Sequence, residues 1–273
     1  MTQAEKGRAF RLLHEGERAF VIPNPWDVGT ARILAQLGFA ALATTSAGYA
    51  FSMGKRDGAI GREEMLAHVG AIASATDLPV SADLENGYGD SLKEVVETYR
   101  LAAAAGLVGA SIEDTTGRTG YAIFDVSLAV ERVQAAVEAV RALPFTFTLT
   151  ARAENYLHGR PDIADTIKRL QAYQEAGADV LYAPGLTTKE EIAAVVSSVD
   201  RPVNVLMGPR DSAMGVEELS EIGVKRISVG SALSRAALGA FIRAAREMRE
   251  HGTFAFAQDA VSYADVSAFF DAI

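Results

Sequence analysis

The sequence contains no cysteine, which excludes disulfide bonds, thiolate metal sites and cysteine nucleophiles. It also lacks any apolar run near the roughly 18 residues that a membrane-spanning helix needs. The amino-terminal segment is charged and has no apolar stretch typical of a signal peptide. We therefore expect a cytoplasmic protein that does not insert into a membrane.

Basic residues are too few to balance the acidic ones. The chain has 26 Lys and Arg against 35 Asp and Glu, a net charge of −9. Nucleic acids and anionic membranes bind to basic surfaces, so the sequence predicts neither as a partner. A small anionic substrate is compatible with this charge, because one site can be positive in an acidic protein. The 273 residues, 49% of them hydrophobic, suffice for one large domain.

A helical pattern that ends at a glycine and is followed by a short apolar strand repeats along the chain, as in LAQLGFAALATT and YQEAGADVLYAP. The strands are nearly continuous apolar runs, as in a parallel sheet covered on both faces. Eight strands are predicted, at Ala19–Ile22, Ala40–Thr44, Pro79–Asp83, Val108–Ile112, Phe147–Ala151, Val180–Tyr182, Val203–Leu206 and Arg226–Val229. The clearest helical patterns between them are Arg62–Thr76, Leu92–Ala105, Val126–Ala142 and Asp162–Ala176.

Eight such units predict an α/β fold, a single (β/α)8 TIM barrel. A doubly wound open sheet is the alternative, although it would not need eight regular units. We assign residues 1–252 to the barrel and residues 253–273 to an extra amphipathic helix. The apolar face of this extension must pack on something, and a neighbouring subunit is one candidate.

Acidic residues concentrate at the carboxyl ends of the predicted strands, where barrels of this kind have their active sites. They are Asp57, Asp83, Glu85 and Glu113. Four carboxylates at adjacent strand ends repel one another unless a cation lies between them. Oxygen ligands without nearby His or Cys favour Mg²⁺ or Mn²⁺ over zinc. The sequence thus predicts a magnesium site. The alternative is that each acid is a solvated loop residue or a helix cap.

Other polar residues follow neighbouring strands. Arg152 suits a bidentate grip on a carboxylate or phosphate, or else an internal ion pair with Glu154 or a neighbouring acid. Residues 45–47 offer hydroxyls and successive backbone N–H groups that suit an oxyanion, or else cap a helix. His158 follows the fifth strand, near the arginine, either at the substrate or in a surface loop. Trp26 either walls the site or packs in the interior.

Together these residues and motifs resemble the isocitrate lyase/phosphoenolpyruvate mutase superfamily. The resemblance runs over nearly the whole chain and includes PVSADLENGYGD, SIED, TARAE, EAGADVLYAPGL and VKRISVGSALSRAA. It implies that Asp83 binds Mg²⁺ directly, with Glu85, Asp57 and Glu113 behind it, mostly through water. It also implies that Arg152 pairs with substrate and that residues 45–47 bind its carboxylate and enolate oxygens. Such proteins are typically tetramers that exchange their last helices.

The chain departs from the lyases of this superfamily in its specificity residues. Their lid motif Lys-Lys-Cys-Gly-His corresponds here to residues 115–121, which have no Cys and no Lys–His pair. Isocitrate and methylisocitrate lyase chemistry is therefore not expected. The sixth strand is followed by Ala183-Pro184-Gly185, and the seventh strand, which contains Asn204, by residues 207–210 (MGPR); both differ from the lyases.

The first functional hypothesis is a Mg²⁺-dependent lyase or decarboxylase. It would cleave a C–C bond next to the carbonyl or hydroxyl of a 2-oxo or 2-hydroxy dicarboxylic acid, through a metal-stabilised enolate. The alternatives are a P–C bond enzyme (phosphonomutase or phosphonopyruvate hydrolase) and a non-catalytic 2-oxo acid binding protein.

A lid over Thr115–Phe124 is expected to close over the site. Candidate catalytic residues are Arg152, Glu113, Tyr88, Glu154 and His158, with Tyr121 as a further proton donor. Candidate substrate-binding residues are Thr45, Ser46, Ala47, Trp26, Asp83, Arg152 and Asn204.

Overall fold

A computed structural model of the chain describes residues 1–118, 121–208 and 214–271, the side chain of Tyr121 excepted. The strands are β1 Phe20–Ile22, β2 Leu42–Ala43, β3 Val80–Asp83, β4 Gly109–Glu113, β5 Thr115–Arg118, β6 Tyr121–Ile123, β7 Thr148–Arg152, β8 Val180–Tyr182, β9 Val203–Leu206 and β10 Arg226–Ser228. The helices are α1 Gln3–Glu15, α2 Val28–Gln36, α3 Ser46–Ser52, α4 Arg62–Ser74, α5 Leu92–Ala104, α6 Val126–Arg141, α7 Ile163–Glu175, α8 Lys189–Ser197, α9 Val216–Ile222, α10 Ala232–His251 and α11 Tyr263–Ala268.

Eight of the strands form one parallel sheet in the order β1-β10-β9-β8-β7-β4-β3-β2. Its two edge strands approach each other, because the N–H of Ala43 on β2 donates to the carbonyl of Pro23 just after β1 at 3.0 Å. Helices alternate with the strands and bury the outer face of the sheet with apolar side chains. The fold is therefore a (β/α)8 TIM barrel, as predicted, and the open-sheet alternative is wrong. The four predicted helices are confirmed to within two residues at each end.

The first helix, which the sequence analysis did not predict, closes the amino-terminal end of the barrel. Phe10 of α1 packs in a buried cluster with Ile22, Ala41 and Val108. The helix lies so close to the sheet that a Cβ at Gly7 would be 2.1 Å from the carbonyl oxygen of Thr146. Only glycine allows this approach. The barrel is thus plugged at one end and accessible from the other.

The interior of the barrel is unusually polar along one line of paired residues. Glu113, Arg152, Tyr182, Asn204 and Arg226 are successive partners across the strands β4, β7, β8, β9 and β10. Side chains at directly paired positions point to the same face of a sheet. Barrel interiors are usually filled by branched apolar residues. The polar line therefore marks the part of the interior that is used for something other than packing.

The segment after α10 differs from the single amphipathic helix that the sequence analysis predicts. It contains a 3-10 turn at Ala255–Gln258 and the short helix α11. The helical structure is interrupted between these two elements. Ser262 is the N-cap of α11, and its hydroxyl accepts a hydrogen bond from the N–H of Asp265. The boundary at residue 252 stays a prediction. Within the described residues, no helix is both long and apolar enough to cross a membrane.

Candidate active site

A cavity of about 590 Å³ opens at the carboxyl ends of the strands. Most of the predicted site residues line it, namely Thr45, Ser46, Ala47, Asp57, Asp83, Glu85, Glu113, Arg152, Glu154, His158 and Asn204. A second cavity of about 660 Å³ lies at the opposite end, beside α1. There Arg11 pairs with Glu15 and Arg141 with Asp179, and no cluster of carboxylates faces it. The acidic cluster therefore lies in the first cavity, which is the candidate active site.

Asp83, the last residue of β3, lies at the centre of a hydrogen-bond network. Its Oδ2 accepts from the backbone N–H of Ser46 at 3.1 Å and from the Ser46 hydroxyl at 2.8 Å. Its Oδ1 accepts from Nη1 of Arg152 at 3.0 Å. The donors of Ser46 are thus engaged by Asp83. The hydroxyl of Thr45 accepts from the N–H of Gly48 at 3.1 Å, so the predicted capping alternative holds for that side chain.

Arg152 binds three carboxylates at once. Besides Asp83, its Nε lies 2.7 Å from Oε1 of Glu154 and its Nη2 lies 3.3 Å from Oε2 of Glu113. The guanidinium carbon also lies 5.1 Å from the centre of the Tyr182 ring. The internal ion pair, which the sequence analysis kept as an alternative for Arg152, is present in this structure.

The loop after β3 carries Glu85 in a strained conformation. Glu85 and Tyr88 have φ angles of 49° and 56°, in the left-handed region that non-glycine residues rarely occupy. Arg132 of α6 holds the loop by donating to the carbonyls of residues 86, 89 and 90 at 2.5, 2.7 and 2.8 Å. Ser91 and Glu94 then start α5 with a reciprocal capping box. The role of Arg132 was not predicted, because its only signal in the sequence is an arginine on the apolar face of a helix.

Four acidic side chains of this cavity have raised pKa values, namely Asp57, Glu85, Glu113 and Glu154. Burial, followed by the negative charges of Asp83, Glu113 and Asp57, raises the pKa of Glu85 to about 8. Burial also raises the pKa of Glu154 to about 8, against the opposing effect of Arg152. The pKa of Glu113 is raised by burial, and that of Asp57 is raised by partial burial and then by Asp83, although much of the Asp57 side chain stays accessible. The described lining of the cavity carries five acidic side chains against two arginines.

The donor set fits a hard dication that keeps part of its water shell. Within the described parts of the chain, no three Asp, Glu, His or Cys side chains converge into a ready-made metal cage. Magnesium does not require one, since it usually binds one or two carboxylates and retains several waters. The cavity offers oxygen ligands at Asp83, Glu85, Glu113 and Asp57. A cation there would relieve the repulsion that raises the pKa of Glu85.

Of the predicted site residues whose side chains are described, Tyr88 and Trp26 do not line the cavity. Tyr88 turns its hydroxyl back to Oε1 of Glu85 at 3.3 Å, and its own pKa is raised far above the usual value by burial. Trp26 lies beside Gly48, at 3.1 Å from where a Cβ of that glycine would be, so it packs against α3. His158 lies at the exposed rim of the cavity.

The predicted lid contains the antiparallel strands β5 and β6. Thr115 and Gly117 line the cavity, and Arg118 forms an ion pair with Asp90 of the loop after β3. Gly120 of the lid, and Pro209 and Arg210 after β9, lie outside the described residues. The hairpin is thus placed beside the loop that carries Glu85.

A buried network behind the cavity was not predicted. Asp114 follows Glu113, but its Oδ2 faces away and accepts from Arg169 at 3.0 Å and from the Tyr173 hydroxyl at 2.6 Å. Its Oδ1 accepts from the backbone N–H of Glu154 at 2.8 Å. Asp114 therefore fixes the backbone that places Glu154 next to Arg152. The sequence alone does not show whether the side chain of an acid at a strand end points into the cavity or away from it.

Comparison with known proteins agrees with this arrangement. The family model described as phosphoenolpyruvate phosphomutase matches residues 10–249. The chain belongs to this family. The predicted superfamily of phosphoenolpyruvate mutases and isocitrate lyases is thereby confirmed.

Among solved structures, a Burkholderia cenocepacia protein described as a lyase or mutase is 61% identical, with a TM-score of 0.96 over 99% of this chain and 97% of that one. An oxaloacetate decarboxylase of Pseudomonas aeruginosa is 30% identical over 88% of this chain and 84% of its own length. A phosphonopyruvate hydrolase solved with oxalate and Mg²⁺ shares the fold, with a TM-score of 0.86, 23% identity, and 99% and 95% of the two chains covered. The relatives of this chain that carry the name of an activity are enzymes.

The raised pKa of Glu85 predicts how stability depends on pH. Because its pKa rises from 4.5 to about 8 on folding, the protonated side chain favours the folded state. This contribution is complete below the ordinary pKa and is lost as the pH rises through 8. The melting temperature of the metal-free protein should therefore fall between about pH 5 and 8 and level off above that range. Mg²⁺ should reduce the fall, because it favours the ionised carboxylate.

The variant Glu85→Gln should show a smaller fall without metal and a smaller response to Mg²⁺. Glu15→Gln, at an exposed position at the other end of the barrel, serves as the matched control. Thermal melts across the pH range, with and without Mg²⁺, provide the measurement. A pH profile of Glu85→Gln identical to that of the wild type would contradict the placement of Glu85 among the other acids.

Proposed function

We propose that the protein is a Mg²⁺-dependent carbon–carbon lyase of decarboxylase type that acts on a 2-oxo or 2-hydroxy dicarboxylic acid. The observation that carries the proposal is the group of carboxylates around Arg152 in the cavity at the carboxyl ends of the strands. The similarity to an oxaloacetate decarboxylase supports it. A 2-oxo acid brings a carboxylate and a carbonyl oxygen, which are good ligands for the hard cation that such a cavity favours.

Asp83 would hold the cation, with Glu85, Glu113 and Asp57 around it. Mg²⁺ or Mn²⁺, when bound, would supply positive charge that stabilises negative charge on a substrate oxygen. Arg152 lies between Asp83 and Glu113. A substrate carboxylate next to these two acids would therefore bind to the guanidinium group of Arg152. The buried position limits water, which strengthens each of these electrostatic interactions.

Glu154 is the group best placed to move a proton. It is 2% exposed and lines the cavity, and burial raises its pKa to about 8, so it holds a proton more readily than an ordinary carboxyl group. In decarboxylation of oxaloacetate, the bond between C3 and the C4 carboxylate breaks and CO2 leaves. The electron pair stays on the three-carbon fragment as an enolate until C3 accepts a proton. We assign that donation to Glu154, with its position fixed by Arg152 and Asp114.

A coupled assay tests the function. Purified protein with Mg²⁺ should form pyruvate from oxaloacetate or a substituted malate, and chelation of the metal should abolish the reaction. Asp83→Asn should lower kcat/KM by at least about 100-fold, because even residues that only support metal ligands cost 10- to 100-fold. Glu15→Gln, at the far end of the barrel, should retain wild-type kinetics.

The same assay separates the other functions. If the protein forms pyruvate only from phosphonopyruvate, or turns over only phosphoenolpyruvate, it is a P–C bond enzyme and not a C–C lyase. Mg²⁺-dependent binding of 2-oxo acids without formation of any product would show that the protein is a non-catalytic binding protein. An unchanged rate in Asp83→Asn would overturn the site assignment itself.

We also propose that the chain forms a homotetramer with exchanged carboxy-terminal helices. The carboxy-terminal segment exposes large apolar side chains, including Phe241 at 68%, Phe254 at 67% and Tyr263 at 91%. Large exposed apolar side chains of this kind would be covered in an interface between subunits. Light scattering should give four times the 28.9 kDa chain mass. Phe241→Glu should dissociate the assembly, whereas Leu12→Glu, at an exposed apolar position on α1, should not. A monomeric wild type would refute this proposal.

A further inference from the structure

A second guanidinium lies at the floor of the same cavity, and its hydrogen-bond partners among the described residues are neutral. Arg226, on β10, is only 5% exposed. Its Nε donates to Oδ1 of Asn204 at 2.8 Å, and its Nη2 donates to the Thr150 hydroxyl at 2.9 Å. Its Nη1 lies 3.4 Å from Nε2 of His14.

The histidine contact does not neutralise the arginine. Nδ1 of His14 lies 2.9 Å from the carbonyl of Phe10, which assigns the proton to Nδ1 and leaves Nε2 as an acceptor for Arg226. Burial, followed by the charge of Arg226, lowers the pKa of His14 to about 3, so the ring is uncharged at neutral pH. Burial also lowers the pKa of Arg226 to about 10, which leaves the guanidinium charged.

The two arginines of the cavity thus differ in their counterions. Arg152 is bonded to three carboxylates, whereas no ion pair to Arg226 occurs within the described residues. A buried charge without a counterion is costly, and buried charges are normally paired. This cost is recovered if a ligand brings the missing negative charge.

Arg226 is placed where such a ligand would reach it. It lines the same cavity as Asp83 and lies on the line of paired residues that leads through Asn204 and Tyr182 to Arg152. The cavity of about 590 Å³ that Asp83 and Arg226 both line has room for one small ligand. A molecule held by one end near Asp83 therefore has its other end inside the barrel, on the side of Arg226.

We propose that Arg226 forms an anion subsite that binds the distal carboxylate of a dicarboxylic 2-oxo acid and so sets the preference for dicarboxylates. This inference rests on the proposed function, because that function supplies the 2-oxo acid end of the ligand. Arg226 is then a specificity-determining residue. The alternative is a purely structural role, in which Arg226 connects β10 to α1 through His14. The test must distinguish the anion subsite from this role.

Two matched ligands isolate the distal charge. 2-Oxoglutarate carries a distal carboxylate where 2-oxovalerate has a methyl group, and both share the 2-oxo acid end. Isothermal titration of the wild-type protein with excess Mg²⁺ should show tighter binding of 2-oxoglutarate. Arg226→Gln should reduce the ratio of the two affinities by about 10-fold or more, since hydrogen bonds to charged groups contribute this much. Binding of 2-oxovalerate should change little.

A second variant neutralises the arginine without removing it. Asn204→Asp keeps the shape of the side chain and places a carboxylate beside Nε of Arg226, with Ser228 able to donate to it in place of the present contact at 2.9 Å. The internal counterion should lower the affinity ratio as Arg226→Gln does. Thr150→Val removes one neutral partner but leaves the charge, so the ratio should stay at the wild-type value.

The results distinguish this inference from the function on which it rests. A wild type that binds neither ligand in the presence of Mg²⁺ overturns both. Wild-type binding of both ligands, with a ratio unchanged in Arg226→Gln and Asn204→Asp, overturns the subsite alone. Equal losses for both ligands, together with a lower melting temperature in Arg226→Gln, would show that the arginine is an anchor for α1 and no more.

Discussion

The excess of negative charge inside one cavity is the constraint on which the rest of the site depends. Among the described residues, five carboxylates and two guanidinium groups line it, and only one of these guanidinium groups is bonded to the acids. Burial makes this imbalance expensive, as the pKa values of about 8 for Glu85 and Glu154 show. A dication among the acids and an anion at Arg226 would each reduce the cost. A metal-bound dicarboxylate supplies both charges in one ligand.

The barrel holds these groups in place by means that lie outside the cavity. Arg132 clamps three carbonyls of the loop that carries Glu85, so the strained backbone there is fixed by a neighbouring helix. Asp114, bonded to Arg169, fixes the backbone of Glu154 from behind. Preorganisation of this kind matters for catalysis, because charges that are already in position need not reorganise during the reaction.

Periodicity and strand-end chemistry predicted the barrel and most of the cavity, because both are properties of local sequence. A glycine after each helix and an apolar run after each glycine are visible without a structure. The failures have a common cause, which is that side-chain direction depends on packing. Trp26 and Tyr88 follow strands as site residues do, yet pack away from the cavity. Arg226 begins its strand, and only the register with Asn204 shows that it faces the interior.

A crystal structure with Mn²⁺ and oxalate bound tests the central claim most directly, since the anomalous scattering of Mn²⁺ locates the ion independently of its ligands. We predict one strong anomalous peak in the cavity, at about 2.2 Å from a carboxylate oxygen of Asp83, near the distances of hard cations to oxygen. Glu85, Glu113 and Asp57 should surround the ion, largely through water. A peak elsewhere in the molecule, or oxalate bound in this cavity without any metal beside Asp83, would contradict the account.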